Sequence, residues 1–321
     1  MIQVERYTAV RTEEWDAFVK GARNGTFLFL RAYMDYHSDR FLDHSLMFFN
    51  AREEGKRTLV ALLPANECDG VLYSHQGLTY GGLILGLKAH HDMVGEAFAA
   101  LTEYMREAGL RELVYKQVPA IYSVVPSQDD AYWLWRMGAQ TVKRNVMTVV
   151  SLHGREKINT SQRKRNYSNR LERMGWQVLM DAPLADFWPV LEDNLMTAHG
   201  AKPVHTLQEI ERLKRAFVEN ILCCTAVDAD GVTQAGVVLY LQADVVKTQY
   251  ISASAEGKRC HALDFLLHKL VAHFAADGCY RYFDFGTSML PDGDSTDAGL
   301  VAQKEEFGGR TVVCDIMKLK V

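Results

Sequence analysis

One order of elements, hairpin, strand, glycine turn, helix and strand, runs through this chain twice. Around 44 to 67, "HSLMFFNAREEGKRTLVALLPANE" sets two apolar runs on either side of a charged turn containing Gly55, the pattern of a hairpin. "VLYSHQGLTYGGLILG" follows as a strand-like run ending in glycines. "HDMVGEAFAALTEYMREAGL" then places Met93, Ala97, Ala100, Leu101 and Met105 on one face at helical spacing and stops at Gly109. "ELVYKQVP" reads as a short buried strand. The second half repeats the order. "ILCCTAVDADGVTQAGVVLYLQ" is a hairpin around Asp230 and Gly231, and "DVVKTQYISAS" is the next strand. "AEGKRCHALDFLLHKLVAHFAADG" supplies a turn at Gly257 and a helix whose Ala262, Leu263, Leu266, Leu270, Val271 and Phe274 face inward; "YRYFDFG" closes the unit. Two copies of one supersecondary unit argue for an internal duplication. Letter identity between the halves is slight, so two unrelated α/β domains stand as the rival reading.

A length of 321 residues fits two domains of about 150 residues each, expected here at 1–150 and 151–321. The fold class expected is α/β, with α+β character in a mixed sheet. Lys plus Arg is 36 against 40 for Asp plus Glu, so the net charge of -4 gives no global pull toward nucleic acid or anionic membrane. The N-terminal stretch carries Glu5, Arg6 and Arg11 and lacks the apolar core of a signal peptide. No run approaches the roughly 20 apolar residues of a membrane span. Six cysteines are irregularly spaced and never form C-x-x-C, which argues against a disulfide framework and a zinc ribbon. With no H-E-x-x-H pair either, no metal is expected, and a reduced, cytoplasmic location is.

"DFG" at 284–286 holds magnesium in protein kinases, but no H-R-D loop, glycine-rich loop or strand lysine accompanies it here. Neither G-x-x-x-x-G-K-[ST] nor G-x-G-x-x-G occurs, so nucleotide hydrolysis and dinucleotide binding lose their usual supports. Between the two copies, "GREKINTSQRKRNYSNRLERMG" carries Arg163, Lys164, Arg165, Arg170 and Arg173 in a stretch expected to be helical. It is either a solvated helix opening the second domain or a local site for phosphates or RNA.

The repeated unit, with a late K-E-x-F-G-G, resembles tandem GNAT-fold acyltransferases, specifically the Fem-like branch related to the peptidyltransferases of cell-wall synthesis. The stretches that carry the resemblance are "YMDYHSDRFLDHS" (33–45), "SHQGLTYGGL" (74–83), "KPVHTLQEI" (202–210), "TQYISASAEGKRCHALDFL" (248–266), "FDFGTS" (283–288) and "GLVAQKEEFGG" (299–309). The resemblance implies two tandem GNAT-like domains and transfer of an acyl group, from acyl-CoA as co-substrate, to the amine of a sugar or cell-envelope precursor. The alternatives are a Fem-type transferase that takes its acyl group from aminoacyl-tRNA, and a non-catalytic ligand-binding protein of the same fold.

Acyl transfer to an amine needs a held donor, a deprotonated amine and groups aimed at the developing oxyanion. An alkyl amine has a pKa near 10.4, so making it neutral at pH 7 costs roughly 4 to 5 kcal/mol, which a base or desolvation must offset. Positioning contributes about 7 to 11 kcal/mol, so most of the work lies in binding. In GNAT enzymes the donor's pyrophosphate rests on backbone N–H groups at the turn before the long helix. Here that places Gly257, Lys258 and Arg259 as donor-binding candidates, or as ordinary helix-start residues; the corresponding "TYGGLILG" of the first copy lacks basic residues and is expected not to bind donor.

Tyr250 shares a strand face with Ser252 and is a candidate acid for the leaving thiolate or hydroxyl, or simply a packing residue. Lys304 is a candidate for holding a phosphate or an oxyanion, or else a surface ion pair. His205, in the "AHGAKPVHT" loop with His199 and Lys202, is a candidate base for an ammonium substrate, or a solvated loop histidine. Asp284 completes the catalytic candidates. His75, Gln76 and Tyr80 are acceptor-binding candidates or strand packing, and Lys202 and Gln303 join the substrate-binding set.

Overall fold

A computed structural model describes residues 1–51, 56–154 and 158–321. The chain forms two compact units, Met1–Asn145 with Val313–Val321, and Val146–Val312.

The first unit begins with β1 (Ile2–Arg6), α1 (Thr12–Gly21), α2 (Arg31–Met34), β2 (Leu42–Asp43), β3 (Leu46–Ala51) and β4 (Arg57–Leu63). It continues through β5 (Asn66–Cys68), β6 (Val71–Tyr73), β7 (Ile84–Leu85), α3 (His91–Glu107), β8 (Glu112–Lys116) and α4 (Asp129–Arg136). Strands β1, β3, β4 and β7 make one antiparallel sheet. The hairpin expected over 44 to 67 is β3 and β4, with Leu46 opposite Leu63; its turn at Gly55 lies outside the described residues. β2, β5 and β6 are antiparallel neighbours, and β6 runs parallel to β8. Leu72, Leu113 and the buried face of α3 (Val94, Phe98, Leu101, Met105) meet in one core, because a helix between parallel strands must bury its apolar stripe on the sheet. "VLYSHQGLTYGGLILG" is not the single strand its composition suggests. Only 71–73 and 84–85 pair; between them His75 and Gly82 adopt φ of +68° and +89°. At Gly82 a Cβ would stand 2.6 Å from the Tyr115 hydroxyl, which accepts the Leu83 N–H at 2.7 Å and donates to buried Asp130 at 2.8 Å.

The chain passes into the second unit along β9 (Gln140–Ser151), then α5 (Gln162–Arg173), β10 (Gln177–Leu179), α6 (Leu184–His199), α7 (Leu207–Ala216), β11 (Ile221–Val227), β12 (Thr233–Leu241) and β13 (Val245–Ala253). It ends with α8 (Ala255–Cys260), α9 (Ala262–Asp277), β14 (Tyr282–Thr287), α10 (Ala298–Glu305) and β15 (Arg310–Lys320), whose last residues rejoin the first unit. β10 to β13 form an antiparallel meander, β14 lies parallel to β13, and β9 pairs antiparallel with β14. β12 is buried along nearly its whole length and reads "TQAGVVLYL", as a strand covered on both faces should. α9 packs Ala262, Phe265, Leu266, Leu270, Val271 and Phe274 into the core and ends at Gly278, φ +79°. α7 opens with a capping box in which Thr206 and Glu209 exchange hydrogen bonds.

Two glycines exist because the sheet leaves no room for a side chain. A Cβ at Gly236 would come within 2.1 Å of the Phe187 ring, and one at Gly257 within 2.1 Å of the Gln234 carbonyl oxygen. Gly236→Ala and Gly257→Ala are each expected to lower stability by about 1–3 kcal/mol through overpacking. Gly21→Ala, where a Cβ meets nothing within 4 Å, is the control and should leave the urea midpoint unchanged or higher.

Candidate active site

The second unit's site is built at a fork. β13 and β14 pair over three positions only, Val245 with Tyr282, Val246 with Phe283 and Lys247 with Asp284, and then separate. Parallel strands that part expose backbone groups which something must satisfy. Thr248 Oγ1 donates to the Asp284 carbonyl at 3.3 Å, and the Asp284 carboxylate, 0 % exposed, accepts the Gly286 N–H at 2.7 Å. The pairing of β14 with β9 also shifts register between Asp284 and Thr287.

Lys304 closes this irregular stretch from α10. Its Nζ donates to the carbonyls of Gly286 at 3.2 Å and Thr287 at 2.8 Å, and to Ser288 Oγ at 2.8 Å. The side chain is 6 % exposed and lies in the interior, not in a surface ion pair. All three ammonium protons have acceptors, so Lys304 acts first as a clamp on residues 286–288. Burial pushes its pKa down to about 8; the Asp284 carboxylate opposes the shift and Lys247 adds to it. Lys247 is itself buried, with burial lowering its pKa against the pull of Asp284, and its Nζ donates to the Thr248 carbonyl at 3.1 Å and Gln249 Oε1 at 3.0 Å. One buried carboxylate thus serves two buried ammonium groups.

Beside the fork lies a cleft of about 220 Å³, bordered by Ser252, Gly257, Lys258, His261, Asp264 and Gln303 among others. It gathers three of the sequence candidates: Gly257, Lys258 and Gln303. The turn before the long helix is not where the glycine suggested. Gly257 sits inside the short helix α8, where its N–H donates to the Ser254 cap at 2.9 Å and its missing Cβ makes room for Gln234. The break comes at His261, φ +67°, from which α9 starts. Lys258 Nζ donates to Asn194 Oδ1, while Arg259 is exposed, paired with Glu256, and does not line the cleft.

His205 and Tyr250 come together directly. The Tyr250 hydroxyl stands 2.5 Å from His205 Nδ1 and accepts the His205 backbone N–H at 3.2 Å. A hydroxyl that donates to Nδ1 leaves the neutral ring's proton on Nε2. Tyr250 packs edge-on against Trp188 of α6, and its strand neighbour Ser252 donates to the Val190 carbonyl at 3.3 Å, so both face α6. Lys202 is exposed.

The first unit holds the acceptor-side candidates. Its own strand pair, β6 with β8, likewise lasts three positions, Val71 with Glu112 to Tyr73 with Val114. At its end is a cleft of about 290 Å³ bordered by Ser74, His75, Gln76 and Lys116 among others. Burial, then the nearby His37, pushes the His75 pKa down to about 3, so its ring is neutral, and its Nδ1 accepts the Gly77 N–H at 3.2 Å. Gln76 is held by Asn66 through two bonds of 2.7 Å. Lys116, lowered by burial, donates to the Leu78 carbonyl at 2.6 Å. Tyr80 does not join the cleft; it packs in the core on Tyr122 and Phe29.

Residues 162–173 form the helix expected, but Lys164 turns inward to Asp264 at 2.6 Å, and Arg163 meets Glu306 at 2.7 Å. The sequence reading passed over Lys247, Ser288, His261, Asp264 and Lys116. Lys247 carried a signal, an ammonium amid the β-branched run of a central strand; for the others nothing local distinguished them. Among the described residues no group of three or more His, Cys, Asp or Glu is arranged to hold a metal ion, and no helix is long and apolar enough to cross a membrane.

Residues 159–296 match the acetyltransferase (GNAT) domain family. No curated protein sequence matches the chain. Among solved structures it is similar to FemX, with TM-score 0.66 and 12 % identity over 98 % of this chain and 96 % of that one. It is also similar to the C-terminal domain of a putative lysylphosphatidylglycerol synthetase from Agrobacterium fabrum, with TM-score 0.60 and 14 % identity over 96 % and 92 %. A tandem GNAT protein from the clavulanic acid biosynthesis pathway aligns with TM-score 0.54 and 13 % identity over 100 % and 98 %. The mixed α/β architecture with two GNAT-like halves, of the Fem-like kind, is therefore borne out as a fold.

The clamp and the pair give separate predictions. Lys304 has a folded pKa of about 8 against the usual 10.5, so between those values the unfolded chain holds the extra proton. The stability difference between wild type and Lys304→Met should therefore move in favour of wild type as pH rises from 8 to 10.5, seen in paired urea melts. Tyr250→Phe removes the hydroxyl from His205 and is expected to cost about 0.5–1.5 kcal/mol in the same assay.

Proposed function

From this tandem GNAT-like fold, we propose that the chain is an N-acyltransferase that moves an acyl group from an acyl-CoA to the amine of a sugar or cell-envelope precursor. The observation that carries the reading is the fork of β13 and β14 with its cleft at the α8–α9 corner; the fork and the corner lie inside the stretch that matches an acetyltransferase domain, and Gln303 borders the cleft from beyond it. A strand pair that opens after three positions gives an extended acyl chain backbone groups to lie against, and the start of α9 adds partial positive charge for an anionic donor. In this reading Lys258, Gln303 and the corner hold the donor. Lys304 and Asp284 fix the strand end that the acyl group passes. Tyr250, tied to His205, supplies a proton to the leaving group. The six cysteines are free thiols, in keeping with a reduced, cytoplasmic setting.

A second reading has the donor as aminoacyl-tRNA, as the Fem-like resemblance allows. What favours it is α5, which retains Arg165, Arg170 and Arg173 after Lys164 and Arg163 are committed to internal carboxylates.

Acetyl-CoA at saturating concentration is expected to raise the melting temperature, since a ligand present at 100 times its Kd stabilises by about 2.7 kcal/mol. No shift with acetyl-, succinyl- or longer acyl-CoA would remove the first reading. The second requires tRNA binding that weakens steeply between 50 and 200 mM salt in a filter assay, and binding that is absent or flat with salt would remove it.

A further inference from the structure

In the first unit the parallel pair β6–β8 also ends after three rungs, but the backbone beyond it is already spent. The Ser74 N–H donates to the Val114 carbonyl at 2.9 Å, the Gly81 N–H to the Lys116 carbonyl at 3.0 Å, and Ser74 Oγ accepts the Lys116 N–H at 2.6 Å. The returning chain thus fills the places an extended ligand would need, so closely that a Cβ at Gly81 would stand 1.8 Å from the Ser74 carbonyl oxygen. What the cleft of about 290 Å³ at this end offers a ligand is side-chain chemistry.

That chemistry is all of one kind. His75, 4 % exposed, has a φ of +68°, and a left-handed residue with a Cβ is strained and persists only where its surroundings over-determine it. Its imidazole stacks on His37, with ring centroids 5.2 Å apart and planes 14° from parallel, and Phe41 packs edge-on at 5.6 Å. Nδ1 accepts the Gly77 N–H at 3.2 Å and the ring is neutral, so its one proton sits on Nε2. That N–H has no acceptor among the described residues, and Nε2 is not one of the polar atoms sealed from solvent. The Gln76 amide is oriented with equal strictness. Asn66 Oδ1 accepts the Gln76 backbone N–H, so Asn66 Nδ2 is the donor to Gln76 Oε1, each bond being 2.7 Å, and the exposed Gln76 NH2 group is left over. Lys116 spends one ammonium proton on the Leu78 carbonyl at 2.6 Å and has two more without acceptors among the described residues. No described carboxylate borders the cleft, and Asp43, whose charge reaches His75, is taken by Arg31 at 2.7 Å.

We propose that this cleft is a carboxylate-binding site, in which Lys116, His75 Nε2–H and the Gln76 amide donate to the two oxygens of one carboxylate while Tyr73, Val114 and Ile316 wall its carbon stem. Donors facing an anion from several sides, one of them charged, make the short, strong class of hydrogen bond. One ammonium and two neutral donors match a single negative charge, whereas a phosphate monoester brings close to two. The site lies wholly within the first unit and needs nothing from the acyl-transfer reading.

The test uses the full chain with ¹⁵N-histidine labelling and butyrate as probe, butyramide as its uncharged counterpart and butyl phosphate as the more highly charged one. His75→Asn, whose side chain tolerates the left-handed backbone, assigns the His75 resonances. Long-range ¹H–¹⁵N spectra near neutral pH should show the ring neutral with its proton on Nε2, and millimolar butyrate should shift those resonances while butyramide leaves them in place. Lys116→Met should weaken butyrate binding by about 10- to 100-fold, the worth of hydrogen bonds to a charged group. Should that variant fail to fold, Gln76→Glu decides. The residue is exposed and keeps an oxygen for Asn66, but a carboxylate now faces the ligand, so butyrate binding should be lost with the urea midpoint retained. Butyl phosphate bound more tightly than butyrate, or butyramide bound as well as butyrate, overturns the carboxylate assignment. A ring proton on Nδ1, or His75 resonances that none of the three probes moves at tens of millimolar, overturns the site. Each of these results leaves the acyl-CoA reading to its own melting-temperature test.

Discussion

Three rungs of parallel pairing between β13 and β14, followed by separation, set the terms for everything else in the second unit. A sheet that opens in its middle leaves backbone groups without their ladder partners, and the interior gives no water to replace them. The repair is made with charge. Asp284 takes the Gly286 N–H, Lys304 takes two carbonyls and a hydroxyl, and Lys247 takes its neighbour's carbonyl. Buried ions are costly unless their hydrogen bonds are satisfied, and here both ammonium groups donate to carbonyls or neutral side chains while the Asp284 carboxylate supplies opposite charge nearby, at the point where the strands diverge.

The first unit opens its strand pair after the same number of rungs but repairs it differently. Tyr73 and Val114 stand at the last rung where the second unit has Lys247 and Asp284. Ser74 and Lys116 supply the polar contacts: Ser74 Oγ accepts the Lys116 N–H at 2.6 Å, and the Lys116 ammonium reaches the Leu78 carbonyl. The two strand pairs thus end differently, one beside a cleft lined by a neutral buried histidine and the other beside a cleft that His261 and Asp264 border.

The order of elements was legible because hairpins, strands and helices of ordinary length write their period into local sequence. β11 and β12, α3 and α9 follow from apolar spacing and glycine stops alone. The fork was not legible, since a strand's partners lie far away along the chain and a three-rung pairing looks like any other strand. Gly257 shows the same limit in small: its sequence context fits a ligand-cradling turn, whereas a carbonyl on β12 is what forbids a side chain there. His205 and Tyr250 were each visible as chemistry, but their contact is 45 residues apart in sequence and only folding brings it about. Lys304 stands in the sequence between an oxyanion or phosphate contact and a surface ion pair, and neither is its observed contact, because the strand end it clamps lies 16 to 18 positions earlier.

The return of the last strand to the first unit has a consequence for biosynthesis. β8 receives β15 along one edge, from Lys116 opposite Ile316 to Glu112 opposite Lys320, and holds β6 on the other. While the chain is still on the ribosome those closing residues do not yet exist, and β8 carries a bare row of N–H and C=O groups open to any stray strand. Domains usually mature in the order they are translated. Here the N-terminal half is the one that must wait for residues 316–320, so the open edge of β8 is covered only after the second half has been made.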